Sequence, residues 1–306
     1  MPHDHHHGHG GHHHGLDAHS GDRRVAWAVA INVGLTVAQI AGGLVAGSVA
    51  LIADGVHNFS DAAALVLAFG ARRLARRGAD SAMSFGWARA EVVAALINYV
   101  SLVIVALWLM AEAAGRLIDP PGVEGWIVIW LAALALVIDL GTAALTFSLS
   151  KQSVNIRAAF LHNLADAGAS VAVIFGGVVI LLYDWRLVDP LLTIGISLFI
   201  LWHVAHDIRP VLRILMLGAP SPQDSPEIAE HLVALDGVEA VHHLHLWQID
   251  EKRSSLEAHL VLAEGADFRD VIAQAKHMLE AEFGLIHVTL EPETRSFGCA
   301  DRAGGC

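Results

Sequence analysis

Two short segments of this chain carry side chains whose types and spacing suit metal coordination. One is His57-Asn58-Phe59-Ser60-Asp61, the other His162-Asn163-Leu164-Ala165-Asp166. Each sets a histidine and an aspartate four residues apart, which a helix stacks on one face. Both lie inside apolar runs long enough to cross a bilayer. An ionisable side chain at that depth costs about 3 kcal/mol or more, so it is retained for function or paired. Two imidazoles and two carboxylates make a four-ligand N/O set of the kind Zn²⁺ takes tetrahedrally. Hydrogen bonding between helices would explain one such pair; two matching pairs favour a ligand set. Asp54, three residues before His57, reads as an orienting residue or part of the path to the site. Asn58 and Asn163, one step round their helices, read as bridges between helices. Gln39 and Asp139 are polar intruders that line a pathway or lock packing.

The elements that must position these groups are membrane spans. With 55% apolar and only 16% charged residues, the chain is too apolar for an ordinary soluble domain. Hydropathy predicts six spans, at about 25–46, 49–71, 88–111, 126–149, 158–182 and 188–205. Basic residues in the short flanks set the orientation. One side collects Arg23, Arg24, Arg72, Arg73, Arg76, Arg77, Arg89, Lys151, Arg157, Arg209 and Arg213, whereas the other holds Arg116 and Arg186. The positive-inside rule then makes both termini cytoplasmic, in a multi-pass protein of the cell (inner) membrane. In that topology the second and fifth spans run antiparallel, so their ligands converge from opposed helices.

Four segments follow from this reading: a His-rich cytoplasmic tail 1–21, a transmembrane domain 22–215, a cytoplasmic domain 216–295 and a disordered tail 296–306. The first 21 residues hold nine histidines among glycines and form no apolar core. Interruptions by Asp4, Gly8 and paired glycines favour a native metal-collecting tail over an affinity tag, and nothing there reads as a cleavable signal peptide. After the breaker-rich 218–222, the order is helix, strand (238–249), strand (256–262), helix (268–283) and strand (285–290). That order suits a small α+β domain with helices on one face of a sheet. From Met216 onward six Lys/Arg stand against sixteen Asp/Glu, so the region repels nucleic acid. Alternation along the first strand would put His243, His245 and Trp247 on one face, with His242, Leu244 and Leu246 on the other. Cys299 and Cys306, both in the tail, exclude a disulfide framework for the body of the protein.

The segment from Leu51 to Asp61, read with His162 to Asp166, resembles the cation diffusion facilitator family of zinc, cobalt and cadmium efflux transporters. So do Ser84-Phe85-Gly86-Trp87-Ala88-Arg89-Ala90-Glu91 and Val241-His242-His243-Leu244-His245-Leu246-Trp247. The resemblance covers nearly the whole chain. It implies a homodimer with six spans per protomer, a ferredoxin-like (metallochaperone-like) cytoplasmic domain, and outward movement of Zn²⁺ in exchange for protons. By position it implies a transport site of His57, Asp61, His162 and Asp166. It also implies cytoplasmic ligands at His242, His259 and His287, with Glu293 a further one. Histidines that some relatives carry between the second and third spans are missing here, as is the histidine-rich loop between the fourth and fifth.

Zinc binding needs neutral imidazoles and ionised carboxylates, so metal and protons displace one another. A site alternately open to each side would couple the two flows, and imidazole suits that role near neutral pH. Two histidines favour borderline ions over Mg²⁺ or Mn²⁺ and leave Co²⁺, Cd²⁺, Fe²⁺ and Ni²⁺ as alternatives. A membrane zinc hydrolase would want three protein ligands, an open position and a nearby base. No His-Glu-x-x-His segment occurs, and a complete four-ligand set argues against an enzyme. A membrane-anchored sensor or buffer is the remaining alternative, disfavoured by ligands placed within the bilayer.

Overall fold

The computed structural model describes residues 18–150, 154–221 and 225–295; the side chains of 18–29, 31, 65, 145–146, 148–150, 154–159 and 162 fall outside that description. Six long helices come first: α1 (Ala18–Ala46), α2 (Val49–Ala75), α3 (Ala90–Arg116), α4 (Gly125–Ser150), α5 (Val154–Tyr183) and α6 (Val188–Leu215). A helix covers each of the six expected spans. α1 starts seven residues earlier than its apolar run, and α6 continues ten residues past its own. By length and composition α2, α3, Gly125–Ala144, Asn163–Tyr183 and α6 can cross a membrane, and α1 contributes the shorter apolar stretch Asn32–Ala46. Then come α7 (Ser225–Val233), β1 (Val238–Gln248), β2 (Ser254–Leu262), α8 (Phe268–Phe283) and β3 (His287–Thr294). The predicted helix, strand, strand, helix, strand order is the observed one, so the fold is a helical membrane domain plus a small α+β domain.

Contacts divide the chain into two compact units, Met1–Ala62 with Leu109–Ile196 and Ala63–Trp108 with Ser197–Cys306. In the first unit, small residues let helices approach closely, the usual basis of packing where lipid offers no hydrophobic driving force. Ala46, Ala50, Leu51, Val128, Ala132 and Val173 form its core. A Cβ on Gly55 of α2 would stand 2.9 Å from Cβ of Gln39 on α1; glycine is what allows the two helices to meet there. Trp126, Tyr183 and Trp185 are exposed beside the α3–α4 and α5–α6 connections, where amphipathic rings suit a membrane interface.

The start of α2 is fastened by side chains. Ser48 caps it, its Oγ accepting from the Leu51 amide at 3.1 Å. Asp189, at the start of α6 and only 3% exposed, accepts from Ser48 Oγ at 2.5 Å, the Val49 amide at 2.8 Å and the Ala50 amide at 3.4 Å. A buried carboxylate thus meets the positive end of the α2 dipole.

In the second unit, β1 and β2 pair antiparallel, and β3 pairs parallel to β2 after the α8 crossover. Ile228 and Leu232 of α7, Leu256 and Leu260 of β2, and Ala275 and Leu279 of α8 close the core. α8 is capped at both ends: Asp267 accepts from the Arg269 amide, and Gly284 takes φ +67 while its amide returns to Glu280 O. In the β1–β2 turn, partial burial acts to raise the Asp250 carboxyl. The Lys252 amide and the Arg253 amide and guanidinium outweigh it and hold that carboxyl below its ordinary range.

The same unit binds the segment before α3 to the end of β1. Arg89 donates from Nε to Ile249 O at 3.1 Å and from Nη2 to Gln248 O at 3.0 Å. Gly86 takes φ +69, and a Cβ there would come 2.9 Å from Arg77 O. Replacing Gly86 by valine is therefore expected to destabilise this connection by about 2 kcal/mol, read as earlier proteolysis of the α2–α3 loop; unchanged cleavage would count against the strained-turn account.

Candidate metal centres

The intramembrane group is built from α2 and α5. His57 Nε2 lies 3.2 Å from Asp166 Oδ1 and 3.8 Å from Asp61 Oδ2. One ligand atom from each of the three residues falls within 4.8 Å of the others. Asp166 is 6% exposed. The i,i+4 spacing thus does bring His57 and Asp61 together, and the second helix supplies Asp166. His162 belongs to α5 one turn before Asp166, and its side chain lies outside the described residues. An imidazole between two carboxylates at these distances is a borderline-metal ligand set.

Polar groups behind this site are arranged in layers. Gln39 of α1 donates from Nε2 to Asp54 Oδ2 at 2.6 Å and accepts at Oε1 from Asn58 Nδ2 at 3.1 Å. One buried amide thereby clamps an i,i+4 pair of α2, its O and N assigned by the partners. Since Asn58 follows His57 directly, the clamp fixes the rotation of the ligand-bearing turn. That is the bridging role expected of Asn58, and it makes Gln39 a positioning residue. Ser170 Oγ donates to Asp139 Oδ2 at 3.4 Å between α5 and α4.

In the sheet, His242 and His259 face one another across β1 and β2, with Glu293 beyond them on β3. Glu293 Oε1 lies 2.8 Å from His259 Nδ1, and its Oε2 lies 3.2 Å from His242 Nε2. The three offer ligand atoms within 4.8 Å. Glu291, two residues earlier on the same strand, reaches His259 Nε2 at 3.6 Å; the Glu-x-Glu alternation of β3 was a signal for it that sequence reasoning passed over.

Two sequence expectations differ here. His287 is not brought to this group. The parallel register pairs it with Ser255 and pairs His259 with Glu291, which puts His287 four positions, about 13 Å, along the sheet from His259. Its ring instead meets the edge of Phe85 at 5.3 Å. Second, the strict alternation along β1 fails. The register shifts between His242 and His245, and His243 takes φ +49. A bulge opposes two residues to one and resets the faces, so His242 and His243 both lie against His259, at 5.3 Å and 4.7 Å between rings. His277 is exposed on α8, outside every such group among the described residues. His203 pairs with Asp207 at 3.6 Å on α6. The histidine-rich segment up to residue 17, and Cys299 and Cys306, lie outside the described residues.

Comparison with known proteins agrees with this architecture. Residues 25–216 match the model of the cation efflux transmembrane domain, and residues 220–295 that of the cation efflux protein cytoplasmic domain. The chain is 32% identical over 283 residues to the cation efflux system protein CzcD of Alcaligenes sp., covering 92% of this chain and 90% of the relative. It is 30% identical to the cadmium, cobalt and zinc/H(+)-K(+) antiporter of Bacillus subtilis, covering 86% of each. It is also 30% identical to the zinc transporter ZitB of Escherichia coli, covering 89% of this chain and 87% of the relative. Among solved structures, the metal-bound C-terminal domain of the Cupriavidus metallidurans CzcD transporter is 29% identical, covering 23% of this chain and 99% of that one with a TM-score of 0.22. Matched by both of its domain models along most of its length, the chain belongs to the cation efflux, or cation diffusion facilitator, family.

Proposed function

We propose that this protein is not an enzyme but a homodimeric exporter. It would move Zn²⁺, or the similar ions Co²⁺ and Cd²⁺, out of the cytoplasm across the cell membrane in exchange for protons. The observation that carries this reading is the joining of His57, Asp61 and Asp166 from two membrane-spanning helices into one ligand group. His162 would complete it as a fourth ligand. Relatives named as zinc transporters and as an antiporter support the cargo and the exchange.

The proposed cycle rests on what these side chains do with a proton or an ion. Facing the cytoplasm, neutral imidazole and ionised carboxylates bind the metal and release protons. Facing outward, protonation of the same groups releases it. Rocking of the helices that carry the site would alternate its access, with both termini and the domain of residues 216–295 on the cytoplasmic side of the transmembrane domain 22–215. In that domain His242, His259 and Glu293 would hold a regulatory ion, and binding there would shift the dimer toward its transporting form. The bonds from Arg89 to the end of β1 offer a route by which the sheet reports to the α2–α3 connection.

Simultaneous measurement of zinc and pH in sealed proteoliposomes tests the reading. Zinc movement with an opposite proton flux is expected; zinc binding without flux would replace the exporter by a membrane-anchored sensor. Glu293→Gln is expected to leave maximal flux within about twofold while raising the zinc needed for half-maximal flux by roughly 10–100-fold. An unshifted zinc dependence would remove the regulatory role. A chain starting at Gly21 is expected to lose flux only at limiting zinc, and equal flux at all zinc levels would sink the metal-collecting role of the N-terminal histidines.

A further inference from the structure

The bulge in β1 places a second set of donors beside the group already described. His243 keeps φ +49, a left-handed conformation that costs an imidazole-bearing residue about 1–2 kcal/mol and that glycine or asparagine would adopt more easily. Its Nδ1 is buried and makes no hydrogen bond among the described residues, a second cost that a plain structural bulge would not need. The ring lies edge-on to His245 at 4.6 Å. His245 in turn is paired across the strands with Glu257. His243, His245 and Glu257 offer ligand atoms that all fall within 4.8 Å of one another, and none of the three belongs to the His242, His259 and Glu293 group. His245 and Glu257 also line a cavity of about 570 Å³ with Leu244, Leu246, Trp247 and Ser225.

We propose that His243, His245 and Glu257 form a second cation site on the cytoplasmic sheet, taking a borderline divalent ion of the Zn²⁺ type. Two imidazoles and one carboxylate are a three-ligand set that leaves a fourth position, and the cavity supplies it with water or a small anion. An ion so placed exchanges with solvent, which suits sensing rather than structural stapling. Coordination through His243 explains both the strained backbone and the buried nitrogen. Because the His243 ring sits between His245 and His259, ions at the two sites share a wall. Occupancy of one site therefore stiffens the ring that borders the other. The site does not depend on transport and stands whether or not metal crosses the membrane.

The test is metal content of the full-length protein in nanodiscs, equilibrated against a zinc–chelator buffer that strips weakly held ions. His243→Asn with Glu257→Gln keeps a residue that tolerates the left-handed backbone while removing two ligands. This variant is expected to hold one ion fewer per protomer than wild type, and on Co²⁺ substitution to lose part of the visible absorption. His242→Ala, read in parallel, is expected to lose a different ion. Equal metal content and equal absorption in His243→Asn/Glu257→Gln and wild type would overturn the second site, even if His242→Ala loses its ion. An ion lost only in the first variant would keep the second site and remove the first. Should the double variant misfold, His245→Asn, whose side chain is exposed, gives the same readout.

Discussion

Replacing Asp166 by asparagine is expected to lower zinc flux in proteoliposomes on the order of 100-fold or more. Asparagine keeps the shape and removes the charge, so the α5 backbone need not move. Asp166 is the carboxylate nearest to His57 Nε2, at 3.2 Å, and is more buried than Asp61. Disturbing even a residue that only orients a metal ligand costs about 10–100-fold in affinity, and loss of an anionic ligand itself is expected to exceed that. Asp61→Asn is expected to follow the same direction with a smaller fall, because its carboxylate stands farther from His57 Nε2, at 3.8 Å. Zinc binding at the cytoplasmic group should persist in both variants, which separates a transport defect from misfolding. Flux within a few-fold of wild type for Asp166→Asn would mean that the transported ion is bound elsewhere.

The largest stability effect is expected at Asp189, which belongs to no proposed ligand group. Asp189→Ala strips the acceptor from Ser48 Oγ and from the Val49 and Ala50 amides, with Ser48 itself fully buried. Each buried donor left unsatisfied costs about 1–3 kcal/mol, and the α2 N-terminus also loses its compensating negative charge. A net loss of about 3–5 kcal/mol is therefore expected, measured as the shift in detergent or thermal unfolding of the purified protein. Asp189→Asn retains an acceptor and should lose about 1–2 kcal/mol. Unfolding of Asp189→Ala at the wild-type midpoint would show that another group fastens α2 to α6. Because α2 carries His57 and Asp61, a loosened N-terminus should also slow transport, though less than Asp166→Asn does.

The division of labour between sequence and tertiary structure follows the range of each interaction. Sequence alone determined that there are long apolar helices, which follows from length and composition. It also determined that His57 and Asp61 share a face, which follows from 3.6 residues per turn. The order of helices and strands in the last 80 residues was legible for the same reason: apolar periodicity is local and each cap is encoded within four residues of the end it closes. What only the tertiary structure decided was register and rotation. No local pattern says that Gln39 will clamp Asp54 and Asn58, or that Asp189 will reach across 140 residues to the start of α2. A one-residue bulge at His243 moved His242 onto the face of His243 and His245, away from Leu244 and Leu246, since strand alternation has period two and a single inserted residue shifts one side of the bulge against the other. The parallel register of β2 and β3 separated His287 from His259 while keeping Glu293, expected as a further ligand, 2.8 Å from His259 Nδ1. Such pairings arise from packing energies summed over whole elements, and no single segment of the chain contains them.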